Sequence, residues 1–163
     1  MTVPVRWGIL GTGWIAGQFA QGLAQLSEAE LVAVGSRTPE LAQRFGAQHD
    51  VPHRHGSYRA LAEDAGVDVI YVATPNPWHR EHTLLCLDSG KPVLCEKPFA
   101  LNAGEADEII QSAREKELFL MEAMWTRFFP LMGKVRALVS EGAIGEVQML
   151  VADLCIQFDF DPS

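Results

Sequence analysis

The feature that most constrains the fold is a glycine-rich motif near the N-terminus, Gly11-Thr12-Gly13-Trp14-Ile15-Ala16. The residues before it, 5–10, form an apolar run of the kind found in strands that are buried on both faces. The residues that follow, 14–26, carry apolar side chains at a helical period. Gly11 permits a tight turn between the two elements, and the small Ala16 permits close packing of the helix on the strand. This region is therefore predicted to be a strand, a sharp turn and a helix.

Segments with the patterns of strands and helices alternate along most of the chain. Besides 5–10, strands are predicted at residues 31–34, 51–55, 67–73, 91–95 and 118–121. Between them, helices are predicted at 14–26, 38–46, 57–65, 78–89 and 103–117. Repeated β-then-α units favour right-handed crossovers, a parallel sheet and helices on both of its faces. The predicted fold class is α/β, with a doubly wound parallel sheet of the Rossmann type.

The composition excludes several classes of protein. The formal net charge of −8, from 13 Lys and Arg against 21 Asp and Glu, disfavours binding to nucleic-acid backbones and to anionic membranes. The sequence contains neither an apolar run long enough to span a membrane nor the pattern of a signal peptide. Cys86, Cys95 and Cys155 form no CxxC pair, which indicates reduced, buried thiols rather than a disulfide or zinc framework. A cytoplasmic protein without nucleic-acid or membrane partners is expected.

The motif at 11–16 and the end of the next strand together predict a cofactor. Free amides at the start of the helix attract phosphate, and Gly13 lets a pyrophosphate approach the backbone. An NAD-specific site places Asp or Glu about 20 residues past the glycines, whereas this chain has Ser36 and Arg37. A hydroxyl and a guanidinium suit a 2′-phosphate, so NADP is predicted in preference to NAD. The alternatives are a plain glycine turn and an Arg37 that is only a solvated loop residue.

A second loop, residues 74–79, follows the predicted strand 67–73 at the sheet edge where open parallel sheets bind ligands. Cofactor contacts are predicted for Thr74, Pro75 and Asn76, and Trp78 offers a flat surface for a nicotinamide or a substrate. The ring of His79 is predicted to hydrogen-bond a substrate hydroxyl, the alternative being a histidine that faces solvent. His82 lies one helical turn later without an evident third ligand, so no metal site is predicted.

A third loop begins with Glu96-Lys97-Pro98, directly after the predicted strand 91–95. A lysine at this edge can donate to a substrate oxygen and stabilise alkoxide charge during hydride transfer. Glu96 is expected to orient Lys97. The alternative is that the two residues form a surface ion pair before a turn.

Three segments together, GTGWIA at 11–16, ATPNPWH at 73–79 and CEKP at 95–98, resemble the Gfo/Idh/MocA oxidoreductases. The second and third are far more specific than the glycine motif. The stretch LMEAMWTRFFP at 120–130 is similar to the branch of trans-dihydrodiol dehydrogenases and NADP-dependent D-xylose dehydrogenases. The resemblance covers essentially the whole chain.

The resemblance implies roles for individual residues. Lys97 becomes the catalytic lysine of the EKP motif, close to the nicotinamide and the substrate. His79 becomes a residue of the substrate pocket, and Trp125 becomes a wall of that pocket. Arg37 corresponds to the arginine that binds the 2′-phosphate in NADP-using members. Asn76 is a departure, because some members of the dihydrodiol branch have histidine there.

The family pattern also bears on domain organisation, since its members exceed 300 residues. We expect a dinucleotide-binding domain over residues 1–122 and the incomplete start of a C-terminal α/β substrate domain over 123–163. The chain is expected to be a fragment or a truncated paralogue, inactive by itself, whose proton donor would lie beyond Ser163. A helix is predicted at 130–141. Residues 145–160 are predicted to be a long strand that pairs with another copy or folds back, so a homo-oligomer is expected.

These patterns predict the cofactor-binding part of an NADP-dependent oxidoreductase. The expected reaction is reversible hydride transfer between nicotinamide and a carbinol carbon of a sugar, cyclitol or vicinal diol. The alternative is a non-catalytic NADP-binding sensor or regulator, because a fold does not fix a function. Lys97 favours the enzyme, and the missing second domain favours the regulator.

Overall fold

The computed structural model describes residues 3–155, which contain a six-stranded sheet. The strands are β1 Val5–Leu10, β2 Ala29–Gly35, β3 His53–His55, β4 Val69–Val72, β5 Val93–Cys95 and β6 Leu120–Glu122. All neighbouring strands are parallel, and their order is β3-β2-β1-β4-β5-β6. This order, with a reversal beside β1, is that of a Rossmann doubly wound sheet. The predicted fold class is confirmed.

Six α-helices connect or follow these strands in the described part of the chain. They are α1 Trp14–Leu23, α2 Pro39–Gln48, α3 Tyr58–Ala62, α4 His79–Asp88, α5 Ala103–Glu115 and α6 Pro130–Ser140. Short 3₁₀ turns at Asn76–Trp78 and Trp125–Phe128 precede α4 and α6. Three of the helices begin at a residue whose side chain accepts a first-turn amide proton, as N-capping residues do: Thr38, Ser57 and Asn102. The α1 helix ends at Leu23, three residues before its predicted end at Leu26. The Leu26 amide donates to the carbonyl of Leu23, in a turn rather than in the i to i−4 pattern of an α-helix.

The core consists of two apolar layers, one on each face of the sheet. Alternate strand residues supply the two layers, because successive side chains of a strand point to opposite faces. On one face, Ile9 and Tyr71 pack with Ala16 and Ala20 of α1 and Phe45 of α2. The other face packs against α3, α4 and α5, through strand residues Leu10, Ile70, Val72 and Val93 and helix residues Leu61, Leu87 and Ile109. Helices on both faces explain why the strands are apolar throughout.

The strand register brings the loops after four strands together at one edge. Leu10, Gly35, Val72 and Cys95 are paired in register and end their strands. The next residues in the chain therefore lie side by side at the carboxyl edge of the sheet: Gly11, Ser36, Ala73 and Glu96. These four positions belong to, or directly adjoin, the four segments that the sequence singled out: the glycine motif, the end of the second strand with Ser36 and Arg37, and the loops at 74–79 and 96–98.

The chain divides into two compact units, Met1–Met124 and a second that begins at Trp125. The predicted boundary between residues 122 and 123 lies two residues earlier, and the assignment of a dinucleotide-binding and a substrate domain stays a prediction. The second unit contains the 3₁₀ turn and α6, none of whose residues is buried.

The long strand predicted for 145–160 is wrong for residues 145–155, which form no strand. These residues are exposed, and no strand in the described part of the chain pairs with them. A strand needs partners for its backbone donors and acceptors, so β-forming side chains alone do not produce one. Residues 156–160 lie outside the described residues. The homo-oligomer that this strand suggested stays a prediction.

Two of the three cysteines are buried as predicted. Cys86 and Cys95 are free and buried, but Cys155 is exposed, which corrects the prediction of three buried thiols.

Within residues 3–155, no helix is both long and apolar enough to cross a bilayer. The cytoplasmic location stays a prediction.

Candidate nucleotide-binding site

A cavity of about 750 Å³ opens at the carboxyl edge of the sheet in the first unit. This volume is typical of sites for cofactors and other small molecules. Every residue predicted to bind the cofactor lines the cavity, and so does His79; the predicted set is Gly11, Thr12, Gly13, Trp14, Ile15, Ser36, Arg37, Thr74, Pro75, Asn76, Glu96 and Lys97. The register of β1, β2, β4 and β5 thus gathers residues from four separate loops.

The turn between β1 and α1 requires glycine at its first position. Gly11 has a φ of +110°, in the left-handed region that side chains disfavour. A Cβ there would lie 2.9 Å from the carbonyl oxygen of Ala73, which is backbone and cannot move aside. At Gly13, by contrast, a Cβ would meet no atom within 4 Å. The backbone of the turn therefore packs tightly on Ala73 at Gly11, whereas at Gly13 the space beside the backbone is empty.

The start of α1 carries backbone amides with no partner from a capping side chain. Gly13 is the cap residue, and the first turn contains no acidic residue. The amides of a first helical turn have no acceptor within the helix and carry a partial positive charge. Because Ala16 is fully buried against the sheet, this helix start is held close to the β1 turn. The geometry suits an anionic group such as a phosphate.

The end of β2 presents a hydroxyl and a guanidinium. Ser36 is buried, its amide donates to the carbonyl of His55 at 3.0 Å, and its Oγ lies 3.4 Å from Oγ1 of Thr12. The Arg37 side chain is exposed and makes no hydrogen bond or ion pair with residues 3–155. Tyr58 lines the same cavity as Arg37; burial raises the pKa of Tyr58, and the positive charge of Arg37 opposes that rise. Arg37 is thus available to an anion at this end of the cavity.

His79 joins two of the loops. Its Nε2 lies 2.7 Å from the carbonyl oxygen of Thr74, and its Nδ1 lies 2.7 Å from that of Pro98. The ring is fully buried, which excludes the alternative that it faces solvent. Both nitrogens face carbonyl acceptors, so neither is free for the predicted hydrogen bond to a substrate hydroxyl. In this geometry His79 connects the loops after β4 and β5.

An aromatic cluster beside His79 combines Trp78, which was predicted as a flat surface for a nicotinamide or substrate, with Tyr58 and His82, which were not predicted as part of the site. Trp78 is about half exposed and stacks on His82 at 6.1 Å between centroids, while Tyr58 packs edge-on against His82 at 4.5 Å. Thr74 Oγ1 lies 2.9 Å from His82 Nδ1, and burial lowers the pKa of His82. Five lining residues were not predicted from the sequence: Leu41, Tyr58, Ala73, Glu81 and His82. For Tyr58 a usable signal was present in the sequence. Tyr58 directly follows the capping residue Ser57, just after the third strand, and this position lies at the same edge of the sheet.

Glu96 holds the backbone of Lys97 rather than its ammonium group. The Glu96 carboxylate accepts the hydroxyl of Tyr71 on Oε1 at 2.6 Å and the Lys97 amide on Oε2 at 2.8 Å. Burial, together with the Glu96 charge, raises the pKa of Tyr71 well above its usual range. Among the described residues no carboxylate lies within ion-pair distance of the Lys97 ammonium, so the surface ion pair is not observed. The Lys97 side chain is exposed at the cavity, and the Lys97–Pro98 peptide bond is cis.

Trp125 belongs to the second unit, where its ring packs edge-to-face on Phe129 at 5.2 Å between centroids. The indole is 65% exposed. It is not among the residues that line the cavity. Its role as a wall of the substrate pocket stays a prediction.

Comparison with known proteins tests the resemblance that the sequence motifs suggested. The family model of the Gfo/Idh/MocA oxidoreductases, described as an oxidoreductase family with an NAD-binding Rossmann fold, matches residues 5–124. The chain belongs to this family. The matched segment contains the cavity and all the loops that line it, so the Gfo/Idh/MocA assignment and the geometry concern the same residues.

Among curated Gfo/Idh/MocA relatives, the chain is similar to trans-1,2-dihydrobenzene-1,2-diol dehydrogenases. It is 43% identical over 157 residues to the enzyme of Xenopus tropicalis, covering 95% of this chain and 48% of that protein. It is also 43% identical over 153 residues to the human enzyme, covering 93% of this chain and 46% of that protein. The chain therefore spans about half the length of the curated relatives it matches.

Solved structures agree with the fold. An NAD-binding oxidoreductase from Klebsiella pneumoniae superposes with a TM-score of 0.84 at 26% identity, covering 88% of this chain and 40% of that one. KijD10, a 3-ketoreductase from Actinomadura kijaniata in complex with TDP-benzene and NADP, superposes with a TM-score of 0.79 at 33% identity. That match covers 88% of this chain and 45% of KijD10. The expected family and fold are confirmed.

Proposed function

We propose that the cavity binds a nicotinamide dinucleotide with preference for NADP, and that the whole protein is a dehydrogenase that uses this site. The single observation that carries the cofactor proposal is Arg37, an exposed guanidinium without a carboxylate partner among the described residues, at the end of β2. That strand end is where Rossmann folds contact the ribose of the adenosine.

The residues present fit a dinucleotide. The open face of Gly13 and the uncapped amides of α1 suit a pyrophosphate, because the amide protons and the helix dipole both attract negative charge. Arg37, with Ser36 and Thr12 beside it, offers a charged donor and hydroxyls to a 2′-phosphate. An acidic residue at the end of β2 would instead repel that phosphate. The chemistry of these side chains therefore supports NADP over NAD.

Lys97 lies at the other end of the same edge. The sheet order places β1 and β4 between β2 and β5, so three strand spacings, about 14 Å in all, separate the end that carries Arg37 from the end that carries Lys97. A dinucleotide that begins at Arg37 and crosses the glycine turn would thus place its nicotinamide near Lys97. When bound, that ring supplies or accepts the hydride.

The chain's own part in the reaction is to orient the reactants and to stabilise charge. The Lys97 ammonium, unpaired among the described residues and open to the cavity, is suited to donate to a substrate oxygen and stabilise alkoxide character there. Glu96 fixes the Lys97 backbone, and His79 connects the loop of Lys97 and Pro98 to that of Thr74. These contacts keep the loops after β4 and β5 in a single arrangement.

For the substrate we propose a sugar, a cyclitol or a vicinal diol, as the resemblance to the family implies, and the names of the relatives support a hydroxyl- or carbonyl-bearing compound. The dihydrobenzenediol dehydrogenases and the 3-ketoreductase act on compounds whose reacting carbon carries a hydroxyl or carbonyl group. Because the chain spans about half of those relatives, we propose that it binds the cofactor but does not turn over substrate by itself.

The test is a titration of the purified protein with NADPH and with NADH, followed by nicotinamide fluorescence. We expect NADPH to bind at least about tenfold more tightly, since a charged hydrogen bond contributes roughly 1.5–3 kcal/mol. Equal affinity for the two cofactors would contradict the NADP preference, and absence of binding to either would contradict the site itself. Oxidation of diols or sugars by the whole protein tests the dehydrogenase part separately.

A further inference from the structure

A second group of chemically active side chains lies outside the cavity, at the edge of the sheet. His53 and His55 come from β3, the edge strand, and Asp64 comes from the loop between α3 and β4. His53 Nδ1 lies 2.7 Å from Asp64 Oδ2, and His55 Nε2 lies 2.8 Å from the same oxygen. None of the three residues lines the cavity. The proposed function leaves this cluster without a role.

The backbone directs the two imidazoles to one point. His53 and His55 are alternate residues of a strand, so their side chains lie on the same face of the sheet. Asp64 is held from two sides: its Oδ1 accepts the amide of Gly66 at 2.7 Å, and its backbone carbonyl accepts the Lys91 ammonium at 2.7 Å. The carboxylate that both imidazoles contact is therefore already oriented by the fold.

The three donor atoms have the composition of a transition-metal site. Nδ1 of His53, Nε2 of His55 and a carboxylate oxygen of Asp64 all lie within 4.8 Å of one another. Two imidazole nitrogens and one carboxylate oxygen are a donor set of zinc sites, which keep a fourth position for water. Imidazole favours zinc, copper, nickel and iron, whereas magnesium and calcium favour oxygen ligands alone.

The two N···O distances require only a small adjustment, and the two imidazole nitrogens, which lie within 4.8 Å of each other, must come to the spacing of zinc ligands. Ligand atoms at bonding distances of about 2.0–2.1 Å from zinc stand about 3.3 Å apart in a tetrahedron. The present N···O distances of 2.7 and 2.8 Å must therefore increase by about half an ångström. His53, whose side chain is half exposed, has room to move, while Asp64 at 10% exposure is fixed. Each imidazole coordinates as the tautomer that carries its proton on the other ring nitrogen, so neutral rings bind without releasing a proton.

We propose that His53, His55 and Asp64 form a binding site for a divalent transition-metal ion, with Zn²⁺ as the best match and water in the fourth position. The ion would connect a three-residue edge strand to the loop before β4. At present His53 and His55 each contact Asp64 at this point through one short side-chain hydrogen bond. The proposal does not depend on the proposed cofactor or reaction.

The experiment is a calorimetric titration of the tag-free, EDTA-treated protein with Zn²⁺, and in parallel with Mg²⁺. We expect one Zn²⁺ to bind saturably and Mg²⁺ not to bind at millimolar concentration. His53→Ala and His55→Ala should each weaken Zn²⁺ binding more than tenfold. Removing a residue that only hydrogen-bonds to a metal ligand already costs about 10- to 100-fold in affinity, and each histidine is itself a ligand. His49→Ala, at a histidine outside the cluster that packs on Phe45, is the matched control and should bind as the wild type does.

Absence of saturable Zn²⁺ binding, or binding that both cluster variants retain in full, would overturn the proposal. Binding that disappears in Cys155→Ser instead would place the ion at the exposed thiol and would also overturn it. Co²⁺ provides a second measurement on the wild type, which does not depend on how the variants fold. Imidazole and carboxylate coordination should give visible absorption without a thiolate charge-transfer band, and a thiolate band would contradict the assignment.

Discussion

The hydroxyl of Tyr71 donates a hydrogen bond of 2.6 Å to Oε1 of Glu96, joining β4 to the end of β5. Both residues are buried. The other oxygen of the same carboxylate accepts the amide of Lys97. On the same face of the sheet, the ring of Phe19 stacks on that of Tyr71 at 3.9 Å between centroids. A core tyrosine thus determines the position of the carboxylate that holds the backbone of the proposed catalytic lysine.

Tyr71→Phe should therefore destabilise the fold. The change leaves Oε1 of Glu96 buried without its donor, a loss of about 1–3 kcal/mol in the free energy of unfolding. Chemical denaturation measures it. Tyr58→Phe is the matched control, because the Tyr58 hydroxyl has no hydrogen bond among residues 3–155, and it should change stability by less than about 0.5 kcal/mol. Equal losses in the two variants would contradict the role assigned to the Tyr71 hydroxyl.

Arg37→Ala should weaken NADPH binding selectively. If the guanidinium makes charged hydrogen bonds to the 2′-phosphate, affinity for NADPH falls by about 1.5–3 kcal/mol, or roughly 10- to 150-fold, while NADH is unaffected. Fluorescence titration with both cofactors measures the effect. Arg114→Ala, at an exposed arginine in the last turn of α5, is the control and should leave both affinities unchanged. A loss shared equally by NADPH and NADH would mean that Arg37 acts on the fold.

Lys97→Ala in the whole protein should reduce turnover and leave cofactor affinity nearly unchanged. Loss of one group that stabilises developing oxyanion charge typically costs on the order of 100- to 1,000-fold in kcat. Steady-state kinetics, paired with a cofactor titration of the same variant, separates the two effects. Lys116→Ala, at a lysine paired with Asp88 on the surface, is the control. Unchanged turnover in Lys97→Ala would favour a non-catalytic NADP-binding regulator.

The two glycines of the β1 turn should respond differently to alanine. Gly11→Ala forces a side chain into a positive-φ position against the Ala73 carbonyl and should cost more than about 1 kcal/mol in unfolding free energy. Gly13→Ala meets no atom and should cost no more than the preference of helix caps, about 1 kcal/mol. Its Cβ occupies the open face instead, so binding of NADPH and NADH should weaken together. Thermal denaturation and titration test the pair, and normal cofactor binding by Gly13→Ala would contradict a pyrophosphate at this position.

Asp68 should contribute a pH-dependent part of the stability. Its hydrogen bonds with the side chain and amide of Arg6 lower the pKa of the carboxyl to about 2, although burial opposes this. The unfolded carboxyl has a pKa of about 3.9, so the contribution is present above pH 4 and is lost as the pH falls from about 4 to 2. Both side chains are about two-fifths exposed, and the effect is therefore modest.

Unfolding free energies at pH 6 and pH 3 test this contribution. Their difference should be smaller in Asp68→Asn than in the wild type. Asp107→Asn, at an exposed carboxyl of α5 outside the observed ion pairs, should leave the difference unchanged. A difference in Asp68→Asn equal to that of the wild type would show that the pair with Arg6 does not stabilise the fold.

Much of the fold follows from patterns between residues that are near each other in the sequence. The apolar run of Val5–Leu10, the helical period after Trp14 and the glycines between them determine a strand, turn and helix. Their alternation over the first 122 residues determines a parallel sheet, and thereby the edge where the loops of Arg37, Thr74 and Lys97 meet. The steric need for glycine at position 11 also follows from the sequence, since a turn this tight needs a positive φ.

The pairing of polar groups, in contrast, depends on how the folded chain brings separate segments together. Tyr71 and Glu96 are 25 residues apart, His79 and Pro98 are 19 apart, and Asp64 lies 11 and 9 residues beyond His53 and His55, on the other side of α3. Periodicity reports which face of an element is apolar, but a hydrogen bond depends on the position of two atoms to within a few tenths of an ångström. Residues 145–155 illustrate the same limit, because β-forming side chains become a strand only where another strand supplies backbone partners.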